Sequence, residues 1–573
     1  MQKYFIALFW LIVSSPIFAQ SITEDQQVYP QTLSEDDRYG LALGITGDYA
    51  IIGAPGDDQY GSNSGAAYVF TYNSGTWSQV DKLISSDIQA GDYFGYTISA
   101  NGDYLLIGTP ITNSYAGAVY VFKNTNGTWL QVQKLTVSDG FSSQLFAHSI
   151  DLYGDYAIVG APGDSTNGEN SGAAYIFKNI NGTWTQIEKL VPDNGHENDL
   201  FGYSVAITDN YAAVGAIGHG DSIRYGAVYI YQNNNDTWNL QRIVISNDPQ
   251  EGENFGYSVD IDGNRIVVGA PYKNYNGFSW NGAAYLFDNS SGNWQQFLKL
   301  LPIDSGVMKY FGKVVNIKDS LIAIAAPGEI SFTPHVPGSA YIYNLNTQNM
   351  AKFVSSDNTA EDRFGSSLCI TDQYFFVGAE TSDAYGTDAG NAYYFCAVAP
   401  VITQQPQPEI TVNEGDDVFI SISAQNSLLQ YQWLKDGQQL YDGGAISGVN
   451  TNTLSIHSVS YEDAGVYTCR VSNLFGEVLS DEANLIVNNG TLDRDISKDD
   501  IKIFPNPTKD KIYISGEDIV NVKLFDIMGR EIKQVSSNSE KILTIDMKGN
   551  AVGIYFLMIE TTDGLKVEKV IKK

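Results

Sequence analysis

Between Tyr39 and Phe395 one punctuated pattern is repeated seven times, and any fold must place all seven copies in equivalent positions. Each copy opens with an aromatic residue followed by Gly or Ala: Tyr39-Gly40, Phe94-Gly95, Phe146-Ala147, Phe201-Gly202, Phe255-Gly256, Phe311-Gly312 and Phe364-Gly365. Successive copies lie 52 to 56 residues apart. Thirteen residues beyond each Gly or Ala stands a second mark, as in Gly53-Ala54-Pro55 and Gly269-Ala270-Pro271, and this offset never varies. A third mark runs from Gly65-Ala66-Ala67-Tyr68-Val69-Phe70 to Gly390-Asn391-Ala392-Tyr393-Tyr394-Phe395, after gaps of variable length. A repeat of this period means a solenoid, a propeller or an array.

Strand count decides among these. The first two marks of each copy enclose alternating apolar runs broken by tight-turn residues, as in Ala100-Asn101-Gly102-Asp103, which predicts a two-strand hairpin. In five copies the third mark leads to another turn and then Trp, at Trp77, Trp129, Trp184, Trp238 and Trp294. Four strands per copy make a propeller blade, and seven blades lie within the usual range. The seventh copy stops after its third strand, at Cys396. Its fourth strand is expected from the N-terminal segment, where Gln27 to Ser34 echoes Gln79 to Ser85. In that register the loop after Leu33 is about five residues shorter than its counterparts.

At these marks, over roughly residues 27 to 396, the chain resembles the FG-GAP repeat of the integrin alpha-chain propeller, and especially its short bacterial variant. Integrin-type repeats often carry an Asp-x-Asp-x-Asp-Gly calcium loop between the first two strands. Here that connection is a bare turn such as Ile261-Asp262-Gly263-Asn264, so the family's metal site does not carry over.

Two further patterns follow the repeats. Trp433 in Tyr431-Gln432-Trp433-Leu434-Lys435-Asp436-Gly437, with Asp463-Ala464-Gly465-Val466-Tyr467-Thr468-Cys469, resembles an I-set immunoglobulin domain. Tyr467, two residues before the cysteine, fits a tyrosine corner. Ile422 stands where the partner cysteine is expected, so this sandwich must close by packing alone. Pro505-Asn506-Pro507, the Gly529-Arg530 turn, Gly553-Ile554-Tyr555 and a basic tail together resemble the type A C-terminal sorting domain of the type IX secretion system. The resemblance implies handling by that machinery, export across the outer membrane of a Gram-negative bacterium, removal of the domain, and release or anchoring to lipopolysaccharide.

The expected organisation is therefore all-β: a signal peptide over 1–19, a seven-bladed propeller over 20–398, an immunoglobulin-like sandwich over 399–488, a linker over 489–497 and a small C-terminal β-sandwich over 498–573. Lys3, an apolar stretch from Tyr4 to Val13 and Ala19 support the signal reading. No other segment approaches 18 uninterrupted apolar residues, so no transmembrane helix is expected. The net charge of -32 argues against nucleic acid or an anionic membrane as partner. Three cysteines make no disulfide framework. Cys369 and Cys396 fall on strands that are not neighbours in a blade, and buried free thiols are expected.

Blade topology puts the second-to-third and blade-to-blade loops on one face, where function usually lies. The blade-to-blade loops are acidic, with Asp193, Glu197 and Asp199 in one and Asp248, Glu251 and Glu253 in another. Oxygen ligands of this kind suit calcium, although no known calcium loop has their spacing, and a solvated acidic rim is the other reading. His196 and His219, near Asp199 and Asp221, offer a further metal candidate. The fifth blade's long loop, Tyr272 to Trp280, holds Tyr272, Tyr275, Phe278 and Trp280 among amides. It is either a platform for stacking a sugar or peptide or a plug for the blade's own core. The fourth-strand tryptophans read as core, and Asn126, Asn181 and Asn235 as turn residues. No Gly-x-Ser-x-Gly elbow, His-Glu-x-x-His helix or Cys-x-x-Cys pair occurs. The expected function is non-enzymatic binding or adhesion at the cell surface or in the medium, through a glycan or protein ligand. An extracellular polysaccharide- or peptide-active enzyme and a structural matrix component remain the alternatives.

Overall fold

A computed structural model describes residues 21–137, 143–220, 223–304, 306–328, 336–357, 359, 361–426, 429–488, 501–516, 518–537, 542–562 and 564–573. The expected signal peptide, the linker over 489–497 and Asp221 lie outside the described residues.

Seven four-stranded antiparallel sheets follow one another along the repeats. The first comprises Leu43–Thr46, Tyr49–Ala54, Ala66–Asn73 and Thr76–Leu83, paired in chain order. Its opening hairpin turns on Gly47, whose φ of 54° suits a two-residue connection with glycine in the first central position. The outer hairpins turn on residues such as Asn126 and Gly127, both with positive φ, so the asparagine triplets are turn chemistry.

The second and third marks of each blade meet the first mark of the next. Gly53 lies against Gly95, where a Cβ would collide with the Gly95 carbonyl, and Gly65 lies against the backbone of Phe94. The same approach recurs at Gly160 with Gly202, Gly215 with Gly256 and Gly269 with Gly312, and it closes the ring at Gly378 with Gly40. The opening aromatic packs edge-on against the third strand of its own blade: Phe94 lies 5.6 Å from Tyr120 and 6.1 Å from Phe122. The fourth-strand Trp packs backwards, Trp129 on Tyr49 at 5.8 Å and Trp184 on Tyr104 at 5.5 Å. All five tryptophans are buried, as expected of core. Strands such as Tyr49–Ala54 are apolar throughout because one face packs on the preceding blade and the other on the following one.

The seventh sheet pairs Ser367–Ile370, Tyr374–Ala379 and Asn391–Cys396, and its fourth strand is Gln26–Gln27. Its register differs from the expected one. Gln26 opposes Tyr394 and Gln27 opposes Tyr393, the places that Asp81 and Lys82 take in the first blade. Val28 is thus the equivalent of Leu83. Eleven residues then separate Val28 from Tyr39, as they separate Leu83 from Phe94 and Phe353 from Phe364, and the apparent loop shortening disappears. The Gln26 amide clasps the neighbouring strand by giving Nε2 to the Trp77 carbonyl at 2.9 Å and accepting from the Trp77 N–H at 2.8 Å. Gln133 clasps Trp184 in the same way.

The immunoglobulin-like sandwich sets Glu409–Asn413, Ala483–Asn488, Gly465–Ser472, Gln430–Lys435 and Gln438–Gln439 in one sheet, with Val418–Ser421, Thr453–Ile456 and Ile446–Ser447 in another. Trp433, Ile422 and Cys469 are buried, and the Tyr467 hydroxyl donates to the Asp463 carbonyl at 2.7 Å to make the tyrosine corner. All three cysteines are free. Cys469 is buried, whereas Cys369 and Cys396 are only half-buried, Cys369 because it borders the central channel.

The C-terminal sandwich packs a three-stranded against a four-stranded sheet around Ile512, Ile514, Val522, Leu524, Ile545, Leu557, Ile559 and Val570. Pro505 and Pro507 flank Asn506, which exchanges hydrogen bonds with Lys569 O and Ile571 N. Gly529 has a φ of 74° in a turn capped by Asp526, and the Tyr555 hydroxyl, two residues past Gly553, donates to Ala551 O at 2.7 Å.

Candidate functional site

The first strands of all seven blades enclose a central channel of about 540 Å³. Residues at the same place in each repeat form rings down its length. Four residues past the first-mark Gly or Ala, the ring includes Ser99, Asp151, Asp260, Asn316 and Cys369. Asp151 accepts the Ile207 N–H at 2.7 Å and Asp260 accepts the Ile317 N–H at 2.7 Å, so each carboxylate staples its blade to the next. Burial raises both carboxyls, and burial together with the Asp151 charge pushes Asp260 up to about 8.

At the end of the channel on the long-loop face, the residue after each first mark forms another ring: Leu41, Tyr96, His148, Tyr203, Tyr257, Lys313 and Ser366. Blades two to five contribute aromatics to it. His148 lies 4.6 Å from Tyr203, and Tyr203 lies 4.9 Å from Tyr257. Burial holds His148 below the usual imidazole range, so it is neutral at pH 7. Burial likewise pushes Tyr257 up to about 12, which keeps the phenol protonated. Lys313 Nζ lies 4.3 Å over the Tyr257 ring and donates to its hydroxyl at 2.5 Å.

The fifth blade's long loop continues this aromatic row. Tyr257 is 6.1 Å from Tyr272, which is 6.2 Å from Trp280 and 5.2 Å from Tyr310. Trp280 and Tyr310 stack at 6.1 Å with 28° between their planes. An arc of aromatic rings therefore runs from His148 at the channel mouth to Trp280. Of the four aromatics expected to form a platform, Tyr272 and Trp280 join this arc. Tyr275 and Phe278 instead bond backbone to backbone in a small hairpin; Lys299 covers the Tyr275 ring at 5.5 Å, and Phe278 is 37 % exposed. Phe278 therefore does not plug the blade core.

The acidic loops divide by position. Carboxylates two residues before the opening aromatic are buried and close their own loop. Asp37 accepts from Ser34 N at 2.6 Å, Asp92 from Gln89 N at 2.7 Å, Asp199 from His196 N at 2.9 Å and Glu253 from Gln250 N at 3.1 Å. Each also faces the residue twenty positions later. That partner is Thr112 for Asp92 at 2.6 Å, His219 for Asp199 at 3.8 Å and Lys273 for Glu253 at 2.5 Å. In the third blade Gln144 takes the acid's place and Asp164 the partner's, 3.2 Å apart.

Asp248 accepts Lys299 at 2.6 Å and the Tyr285 hydroxyl at 3.2 Å. The same tyrosine–aspartate–lysine arrangement holds Asp57, Asp87, Asp164 and Asp304 in other blades. Asp193, Glu197 and Glu251 are exposed. Among the described residues no three or more His, Cys, Asp or Glu side chains come together as a metal site. The six acidic candidates are thus split between loop-closing, lysine-paired and solvated roles.

FG-GAP repeat profiles match residues 23–70, 77–122, 129–177, 184–231, 238–287 and 347–395, with most of the sixth blade falling between the last two segments. An immunoglobulin domain profile matches 399–473, and a secretion system C-terminal sorting domain profile matches 502–573. This last domain indicates type IX secretion and an extracellular or cell-surface location, and implies a Gram-negative source. The repeats and the immunoglobulin domain fit an extracellular protein of adhesion type. No helix among the described residues is long and apolar enough to cross a membrane.

Integrin alpha-7 of Rattus norvegicus is 27% identical over 265 residues, 39% of this chain and 22% of that protein. The Mus musculus protein of the same name is 29% identical over 230 residues, 34% and 19% of the two. The chain thus spans about a fifth of the length of these curated relatives. Titin M4 is 28% identical, with a TM-score of 0.15 covering 16% of this chain and 96% of the titin structure. The repeat segments together take in half of the 573 residues, and the chain belongs to the FG-GAP repeat family.

Proposed function

We propose that this is a non-enzymatic binding protein of the cell surface or medium whose propeller presents its long-loop face to a glycan or protein ligand. The observation that carries this reading is the aromatic arc from His148 through Tyr203, Tyr257 and Tyr272 to Tyr310 and Trp280. Tyr310 is buried and backs the arc, while the other rings are partly exposed. Aromatics held on a rigid scaffold offer contact area at little entropic cost, and such residues dominate binding energy at recognition surfaces. The blade framework fixes their backbones, so little ordering opposes association.

The test is a glycan array with surface pull-downs, using the full chain and the variants Tyr272→Ala and Trp280→Ala. Binding that falls at least tenfold in both variants is expected, and binding unchanged in both refutes the reading. An enzymatic reading would draw on carboxylates from several blades, and Asp151 and Asp260 are two that line the channel. Turnover of extracellular polysaccharide by the wild-type chain, lost in Asp260→Asn, would favour it.

A further inference from the structure

Beside the arc, between the fifth, sixth and seventh blades, lies a cleft of about 150 Å³ lined by Tyr272, Tyr310, Lys313, Arg363, Ser366 and Glu380. At about 30 Å³ per water this holds the equivalent of roughly five waters, room for one ring-sized residue and not for a folded segment. We propose that this cleft is a subsite for a carboxylate-bearing sugar, a uronic-acid residue of an acidic glycan. The inference rests on the binding role proposed above and assigns that role a ligand class.

The cleft has two chemically distinct sides. On one, the part-exposed Tyr272 is held edge-on at 5.2 Å against Tyr310, itself buried and stacked by Trp280, so the C–H face of a pyranose meets the Tyr272 ring on a fixed aromatic backing. On the other side is Arg363, with a side chain 36% exposed, whose Nη1 contacts Glu380 at 3.3 Å. A guanidinium carries five donors in a planar fork that matches a carboxylate, and that contact is made through one nitrogen. Lys313 adds a second positive charge to the lining. The left-handed backbone at Tyr310 and Arg363, φ 56° and 51°, is shared by the residue before every opening aromatic, so it belongs to the blade architecture.

The chain's charge of -32 does not oppose a local anion, because charges beyond about 10 Å are screened at 0.1 M salt while those in the cleft act at contact. Two cations against Glu380 leave the lining net positive. A peptide carboxylate on its flexible stem would engage Arg363 but leave the Tyr272 ring without a partner. A ring that carries its carboxylate rigidly engages both sides.

Calorimetric titration of the full chain with trigalacturonate, and with its methyl ester, separates charge from ring stacking. Trigalacturonate is expected to bind at least tenfold more tightly than the ester. Arg363→Gln should lower trigalacturonate binding to the ester's level and leave the ester unaffected, whereas Tyr272→Ala should lower both. Equal affinity for acid and ester would overturn the uronate assignment while leaving the broader binding role standing. Failure of trigalacturonate, alginate and hyaluronate oligosaccharides alike would overturn it too, as would an acidic peptide binding where the sugars do not. A neutral glycan held through Trp280 would then show that the face binds sugars but does not read charge.

Discussion

Lys273 is wholly buried, and its only described acidic neighbours are Glu253 at 2.5 Å and Asp248 at 3.5 Å. Lys273→Met keeps the bulk of the side chain and strands the Glu253 carboxylate, itself 1% exposed. Removing one partner of a buried ion pair costs about 3–5 kcal/mol, because the other charge is left desolvated. Glu253 retains the Ser246 hydroxyl at 2.7 Å and the Gln250 N–H, which places the cost near the lower end, about 3 kcal/mol. The double variant Lys273→Met/Glu253→Gln should recover at least half of this loss, because Gln144 already fills the acid's place in the third blade. Urea unfolding of the full chain, followed by tryptophan fluorescence, reads the propeller through its five buried Trp. The modules need not unfold together, so the propeller transition must be fitted separately. A loss below about 1 kcal/mol in the single variant, or a double variant no more stable than the single, would refute the view that this pair is charged and buried.

In the first blade the equivalent pair is Asp37 facing Asp57, and Asp57 is already held by Lys82 at 2.7 Å. Burial above all, with the Asp57 charge added, raises Asp37 from 3.8 to about 6 despite the Ser34 N–H. An acid raised in the fold binds more protons folded than unfolded between those values. Its stabilising contribution is therefore full below about pH 4 and lost as pH rises through 6, a span of about two units or about 3 kcal/mol. Asp37→Asn should stabilise the propeller at pH 7 by up to that amount and flatten the pH 4–6 slope of its unfolding free energy. An unchanged slope would count against a protonatable Asp37. In the acidic loops Asp199, Asp248 and Glu253 already accept backbone N–H groups or lysines and Asp193, Glu197 and Glu251 are solvated, so millimolar calcium or a chelator should leave the propeller melting temperature unchanged. A saturable rise with calcium would show that Asp193, Glu197, Glu251 or their neighbours form a metal site after all.

The blade count and strand order are legible in the sequence because the fold imposes steric demands on the marks. Where one blade's backbone crosses another's at Gly53 and Gly95 there is no space for a side chain, and that demand recurs at a fixed offset. The closing strand's register was harder to read, because a Gln-Val dipeptide match competed with the constant eleven-residue spacing from Val28 to Tyr39. Only the spacing reflects geometry. Loop composition shows that Asp199 and Glu253 are acidic but not that they point inward; their constant place two residues before the aromatic is the readable signal. The aromatic arc was half visible. Tyr272 and Trp280 stand out within one loop, but His148, Tyr203 and Tyr257 come from three blades and meet only because the residue after each first mark faces the channel. Reading the repeats as aligned columns brings them together.

The ring is completed by a strand of two residues, Gln26 and Gln27, paired with partners 368 and 366 positions further along the chain. Bringing such distant segments together costs about (3/2)RT ln n, on the order of 5 kcal/mol, which six blades formed from nearer neighbours do not incur. Closure is therefore expected to be the last step in assembling the propeller. Until it occurs, Asn391–Cys396 presents an open edge to any strand of matching pattern, including the N-terminal segment of another copy. Concentrated refolding of this protein should thus yield exchanged dimers, each ring fastened by the other chain's Gln26 clasp.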